Sequence, residues 1–204
     1  MAAIPLFPLN TILFPDGRLP LQVFEVRYLD MVKKCIDREE EFGVVPLLEG
    51  SEVRKPGEHE TLSGFGTMAR IVDWAQPMAG LMQVTCIGTT RFRVRTAQQL
   101  KHGLWMGEVE PLAEDLAVPI PDDQQNVAAA LSNLIRSIEK KQLDTNHMAL
   151  TTPYRLDQAG WVANRWCELL RLELCEKERL LMQDNPVLRL ELIQDILSDN
   201  GLLT

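Results

Sequence analysis

Three histidines, His59, His102 and His147, are the side chains best suited to metal binding or proton transfer, and they stand in three separate polar stretches without an i, i+4 partner. A zinc site normally shows a local ligand pair, so they read as solvated loop residues. Glu108 and Glu110 flank Val109 at strand spacing and therefore share a face. An acid–base pair needs an apolar pocket to raise one carboxyl, and this stretch supplies none, so both read as surface. The sequence contains no GxxxxGK[ST], GxGxxG or GxSxG, which removes the phosphate cradle and the nucleophile elbow. Cys35, Cys86, Cys167 and Cys175 form no CxxC pair and sit among apolar neighbours, which predicts free buried thiols. With no basic signal-peptide region at the start, they point to a reducing cytoplasm. No catalytic residue, cofactor or metal is expected, and the chain reads as non-enzymatic.

Residues suited to holding a partner are easier to find. Arg91-Phe92-Arg93-Val94-Arg95 alternates cationic and apolar side chains, which puts three guanidiniums on one strand face. That face could dock a carboxylate or an acidic segment, but charged residues usually stay exposed, so a solvated face is the reading preferred. Among the four tryptophans, Trp166 shares a helical stripe and reads as core, Trp161 lies off it, and Trp74, beside the Gln76-Pro77 turn, is the candidate for an exposed aromatic. Phe24 and Tyr28, where a strand-like run gives way to a helical one, join Trp74 as candidate contacts for a polypeptide, with Arg91 and Arg93 as polar ones.

The elements that must position them fall into two halves. Pro5, Pro8, Pro15 and Pro20 interleave with apolar residues and read as extended edge segments, because proline cannot donate to a central ladder. From Glu25 to about Glu41 the period changes: Tyr28, Met31, Val32 and Cys35 fall at i, i+3, i+4, i+7, one amphipathic helix. Strand-like runs follow over 42–48, 65–74, 81–89, 91–96 and 104–112, with Met78-Ala79-Gly80 as a hairpin connection. After Ala117 to Pro121 the chain turns helical. Val127, Leu131, Leu134, Ile135 and Ile138 form one stripe, Ala159 to Leu170 repeats the spacing behind an Asp157 cap, a third helix covers 174–183, and Asn185-Pro186 caps a fourth. Strands followed by helices imply an α+β fold with segregated layers, divided at 1–118 and 119–204.

Charge narrows the partner. The net charge is −8, and it divides evenly: residues 1–118 carry 12 basic and 16 acidic groups, 119–204 carry 9 and 13. Neither half is basic, whereas nucleic acid or an anionic membrane requires a positive face, so neither is the expected partner. No apolar run approaches the roughly 20 residues of a membrane span.

The opening Ile4-Pro5-Leu6-Phe7-Pro8-Leu9-Asn10-Thr11-Ile12-Leu13-Phe14-Pro15, then Leu19-Pro20-Leu21 and Phe24-Glu25-Val26-Arg27-Tyr28, resembles the start of the N-terminal domain of Lon proteases. Phe42-Gly43-Val44-Val45, Gly66 to Val72, Gly88 to Val94, Glu176 to Leu181 and Arg189 to Ile193 follow in the family's order. The resemblance implies a twisted, β-rich PUA-like subdomain with one inserted helix, followed by a helical bundle. In Lon that domain holds unfolded or tagged proteins for degradation and carries no catalytic residues. Since the chain ends at Thr204, a free-standing binding module without ATPase or peptidase is expected, an adaptor in protein quality control. A similar domain in cereblon and in RING-type ubiquitin ligases favours protein binding by analogy. Self-association of Lon fragments suggests a homodimer, and the use of PUA-like folds on RNA supplies the alternative reading.

Overall fold

The computed structural model describes residues 3–53, 57, 59–140, 150 and 152–203; His147 lies outside them. Strands Ala3–Leu9 (β1), Arg18–Val23 (β2), Phe42–Glu49 (β3), Thr61–Leu62 (β4), Phe65–Met78 (β5), Leu81–Gln99 (β6) and Trp105–Pro111 (β7) make one sheet, with helix Val26–Arg38 (α1) inserted after β2. Helices Gln125–Lys140 (α2), Ala159–Leu169 (α3), Leu174–Met182 (α4) and Pro186–Asp199 (α5) follow. The sheet runs β1-β7-β6-β5-β3, and a parallel β1–β3 pairing closes it into a ring.

Closure corrects the edge-strand expectation for the N-terminus, because β1 has a neighbour on both sides. Its first half, Ala3 to Leu6, pairs with β7, and its second half, Leu6 to Leu9, pairs with β3. Pro5 and Pro8 thus each fall where one flank carries no ladder, a position where a strand can accommodate a residue without an N–H. Pro20 does lie on an edge strand, since among the described residues β2 pairs with β6 alone.

Strand alternation lets neighbouring residues serve different cores. Leu6, Val45 and Phe92 pack inside the ring. Phe7, Val44, Ala69, Met82, Val84 and Cys86 pack against the Tyr28, Met31, Val32 and Cys35 stripe of α1. The two runs expected at 81–89 and 91–96 are one strand, β6; bulges at Thr67/Ala69, Ile71/Asp73 and Val94/Thr96 let its long ladder curve. Curvature is tight at Gly66, where a Cβ would stand 2.4 Å from the Val44 carbonyl oxygen and 2.6 Å from Phe92 Cζ. The hairpin turn is Ala79-Gly80, with Gly80 at φ +80.

The helices bury Val127, Leu131, Ile135, Val162, Trp166, Leu190 and Ile193 together with Ile12 and Phe14 from the β1–β2 connection. Asn185 caps α5 as expected, its Oδ1 accepting from the Val187 and Leu188 amides at 3.0 and 3.3 Å. At α3 the cap position is Gln158 rather than Asp157.

Arg91 is a correction. It is only 3% exposed, not on a solvated face. Its guanidinium donates to the Leu181 and Ala113 carbonyls at 2.6 and 3.1 Å and to Asp115 at 3.2 Å. Asp115 also accepts from the fully buried Arg189, which bonds Asn164 Oδ1 and the Leu180 carbonyl. Alternation correctly put Arg91 on one face of β6, but what covers that face comes from α4 and the 113–115 segment, far away in sequence. Cys175 is a second correction: it is exposed, while Cys35, Cys86 and Cys167 are buried as expected.

Candidate functional site: an apolar groove beside β2

As β2 ends, alternation turns Val23 inward, 1% exposed, and Phe24 outward, 53% exposed. The next turn begins α1 and brings Tyr28 back into the core at 3% exposure. Its ring stacks on Phe7 with centroids 4.1 Å apart and planes 17° from parallel. The Arg27 guanidinium lies 4.5 Å from the same ring and donates to the Gly103 carbonyl at 2.7 Å and to Glu25 at 3.2 Å. Glu60, 3.8 Å from Arg27, accepts from Trp105 Nε1 at 2.5 Å. These contacts fix the aromatic pair as the floor of a groove of about 340 Å³. One wall is Leu19 to Val23 of β2; the other is Leu9 and Thr11 at the end of β1; Phe24, Glu25, Glu52 and Val53 form the rim. Burial, and then Glu60, Glu25 and Glu52, push the Tyr28 phenol above its ordinary range, opposed by Arg27.

Among the described residues β2 has β6 as its only strand partner, so its second edge is open along this groove. An apolar trough beside an open strand edge is suited to holding an extended polypeptide: the edge offers backbone hydrogen bonds and the trough takes alternate side chains.

The sequence-derived candidates separate. Phe24 and Tyr28 share the groove, Tyr28 as buried floor and Phe24 as exposed rim. Trp74, 50% exposed, borders a different depression of about 450 Å³ with Ile36, Arg70 and Val72. Arg93 is exposed with its guanidinium 5.2 Å from the Phe65 ring, away from the groove, and Arg91 is the buried tie described above. The depression at the junction of strands and helices, about 260 Å³, is lined by Asp16, Arg70, Arg91, Asp115 and Arg155 together with Pro15, Ile87, Leu116 and Trp161, so charged and apolar surface are mixed there. Sequence reasoning missed Phe7, Leu9, Leu19 and Leu21 as groove residues. The apolar alternation of Leu19-Leu21-Val23 was visible, but pairing it with Phe7 needed the closed ring.

No group of three His, Cys, Asp or Glu among the described residues could hold a metal ion, and no helix among them is long and apolar enough to cross a membrane. His59 and His102 are exposed, and Glu110 pairs with Arg95.

Comparison with known proteins identifies the family. The family model for the ATP-dependent protease La (LON) substrate-binding domain matches residues 3–199. The chain belongs to that family. The Lon N-terminal domain protein from Xanthomonas campestris, a crystal structure, superposes with a TM-score of 0.76 at 31% identity, covering 96% of this chain and 98% of that one. The N-terminal domain of the Mycobacterium avium complex Lon protease shares the fold, with a TM-score of 0.63 at 16% identity over 97% of this chain and 99% of that one. A Lon protease from Anaeromyxobacter dehalogenans (strain 2CP-C) is 25% identical over 198 residues, 97% of this chain and 23% of that protein. The chain thus spans less than a quarter of that relative, and the match is to the Lon substrate-binding domain alone, not to the ATPase or peptidase. The α+β, PUA-like architecture implied by the N-terminal motifs is the one these Lon domains have.

Proposed function

We propose that this Lon-type domain holds unstructured polypeptide segments in extended form along β2, without a catalytic step of its own, as an adaptor in protein quality control. The observation that carries this reading is the coincidence of an open strand edge with an apolar trough floored by Phe7 and Tyr28 and rimmed by the half-exposed Phe24. Family membership supports the same class of ligand. Trp74, with exposed Val72 and Met78 on the same hairpin, is an accessory contact for a longer segment. Three buried free thiols favour a reducing compartment such as the cytoplasm. The RNA-binding alternative has no specific observation in its favour, since Arg91 is buried and Arg95 is paired with Glu110.

The test is fluorescence anisotropy with a labelled, unstructured peptide rich in Phe, Leu and Val. Phe24 is exposed enough that Phe24→Ser should leave the melting temperature unchanged. Losing its contact should weaken binding about ten-fold, the worth of roughly half an aromatic side chain. Binding that is absent at millimolar concentration, or indifferent to Phe24→Ser, would remove the groove from consideration.

A further inference from the structure

We infer that the β2 groove is charge-selective, taking apolar polypeptide segments flanked by Lys or Arg in preference to the same segments flanked by Asp or Glu. The inference rests on the polypeptide-binding reading above and specifies which segments that site accepts.

The argument is one of charge around an apolar floor. The charged side chains among the described residues that line the groove are Glu25 and Glu52, and both are acidic. Glu60 stands behind the floor. Among the described residues the cation paired with these carboxylates is Arg27, and its side chain is 4% exposed: it donates to Gly103 and Glu25, lies 3.8 Å from Glu60, and lines the cavity on the other side of α1. Glu52 is exposed at the rim, where its Oε1 accepts from the Asn10 amide. A carboxylate on the bound segment would meet like charge beside a low-dielectric aromatic wall, whereas an ammonium or guanidinium there would gain attraction that water screens incompletely. The groove of about 550 Å³ on the other side of α1 differs in this respect. Its lining sets Arg27, Lys34 and Arg38 against Asp30 and Glu40 around Pro5, Met31 and Met106, so no excess of carboxylate gathers there. The chain's overall −8 would favour any basic ligand weakly and from all directions. Glu25 and Glu52 place that preference at the groove itself.

Three labelled peptides with one apolar centre and flanks of Lys, Gln or Glu test this on the full chain by anisotropy at low and high salt. The order Lys over Gln over Glu is expected, with the gap narrowing at high salt. Glu52→Lys should cut the Lys-flanked peptide's affinity about five-fold and improve that of the Glu-flanked one, as expected for a single partly screened contact. Glu191→Lys, an exposed reversal on α5 that changes net charge equally, should leave the order and gap as they were. If the three peptides bind equally, or if Glu52→Lys and Glu191→Lys act alike, the selectivity is refuted and the polypeptide-binding reading stands. If none of the three binds, both fall.

Discussion

Asp115→Asn is the sharpest test of what joins the strand half to the helices. The Asp115 carboxylate lies between two guanidiniums, 3.2 Å from Arg91 Nη2 and 2.5 Å from Arg189 Nη1, and the arginine side chains are 2% and 0% exposed. Burial and then Arg189 lower the Arg91 pKa, with Asp115 opposing them. The amide keeps the shape and deletes the charge, leaving two buried cations side by side; among the described residues the other carboxylate paired with them is Asp184, 71% exposed. Removing one partner from a buried ion network costs about 3–5 kcal/mol, which for a chain of this size lowers the melting temperature by about 10 °C. Urea unfolding followed by tryptophan fluorescence measures it, with Glu110→Gln as control. That control breaks the Arg95 pair, whose side chains are 50% and 42% exposed, and should cost under about 1 kcal/mol. Adding Arg91→Met to Asp115→Asn should recover part of the loss, because it removes one of two like charges. If Asp115→Asn unfolds within 1 kcal/mol of the control, or if the double variant is less stable than the single one, the reasoning about a shared carboxylate is wrong.

Three further outcomes follow from buried groups. Burial pushes the Glu168 carboxyl up to about 7 from its ordinary 4.5, against Arg165 and the Phe14 amide. The folded chain therefore keeps a proton that the unfolded chain releases, so this contribution to stability is full below pH 4.5 and is lost as pH rises through 7; Glu168→Gln should flatten the urea-midpoint profile across that window. Gly17→Ala would place a Cβ 1.8 Å from Glu168 Oε1 and 2.9 Å from the Phe14 carbonyl oxygen, and should cost about 1–3 kcal/mol by urea midpoint. A thiol reagent at neutral pH should label Cys175 alone on the native chain; burial pushes the thiols of Cys35, Cys86 and Cys167 up to about 11, 12 and 12, so fast labelling at more than one site would contradict the packing.

Local pattern was enough for the elements and for some of their ends. The i, i+3, i+4, i+7 stripe of α1, the Ala79-Gly80 turn and the Asn185-Pro186 cap are read from neighbours within one helical turn or one hairpin, where residue type alone sets the backbone preference. The N-terminal motifs carried the family. Ring closure decided what pattern could not. Whether Pro5 and Pro8 lie on an edge depends on β3 and β7, and whether Arg91 meets water depends on Leu181 and Asp115. The groove has the same origin: Phe24 and Tyr28 were legible as aromatics where β2 meets α1, but only the fold stacks Phe7 on Tyr28 and leaves the second edge of β2 open. Alternation states which side of a strand a residue occupies. What covers that side is set by chain segments distant in sequence, and their arrival is a tertiary fact.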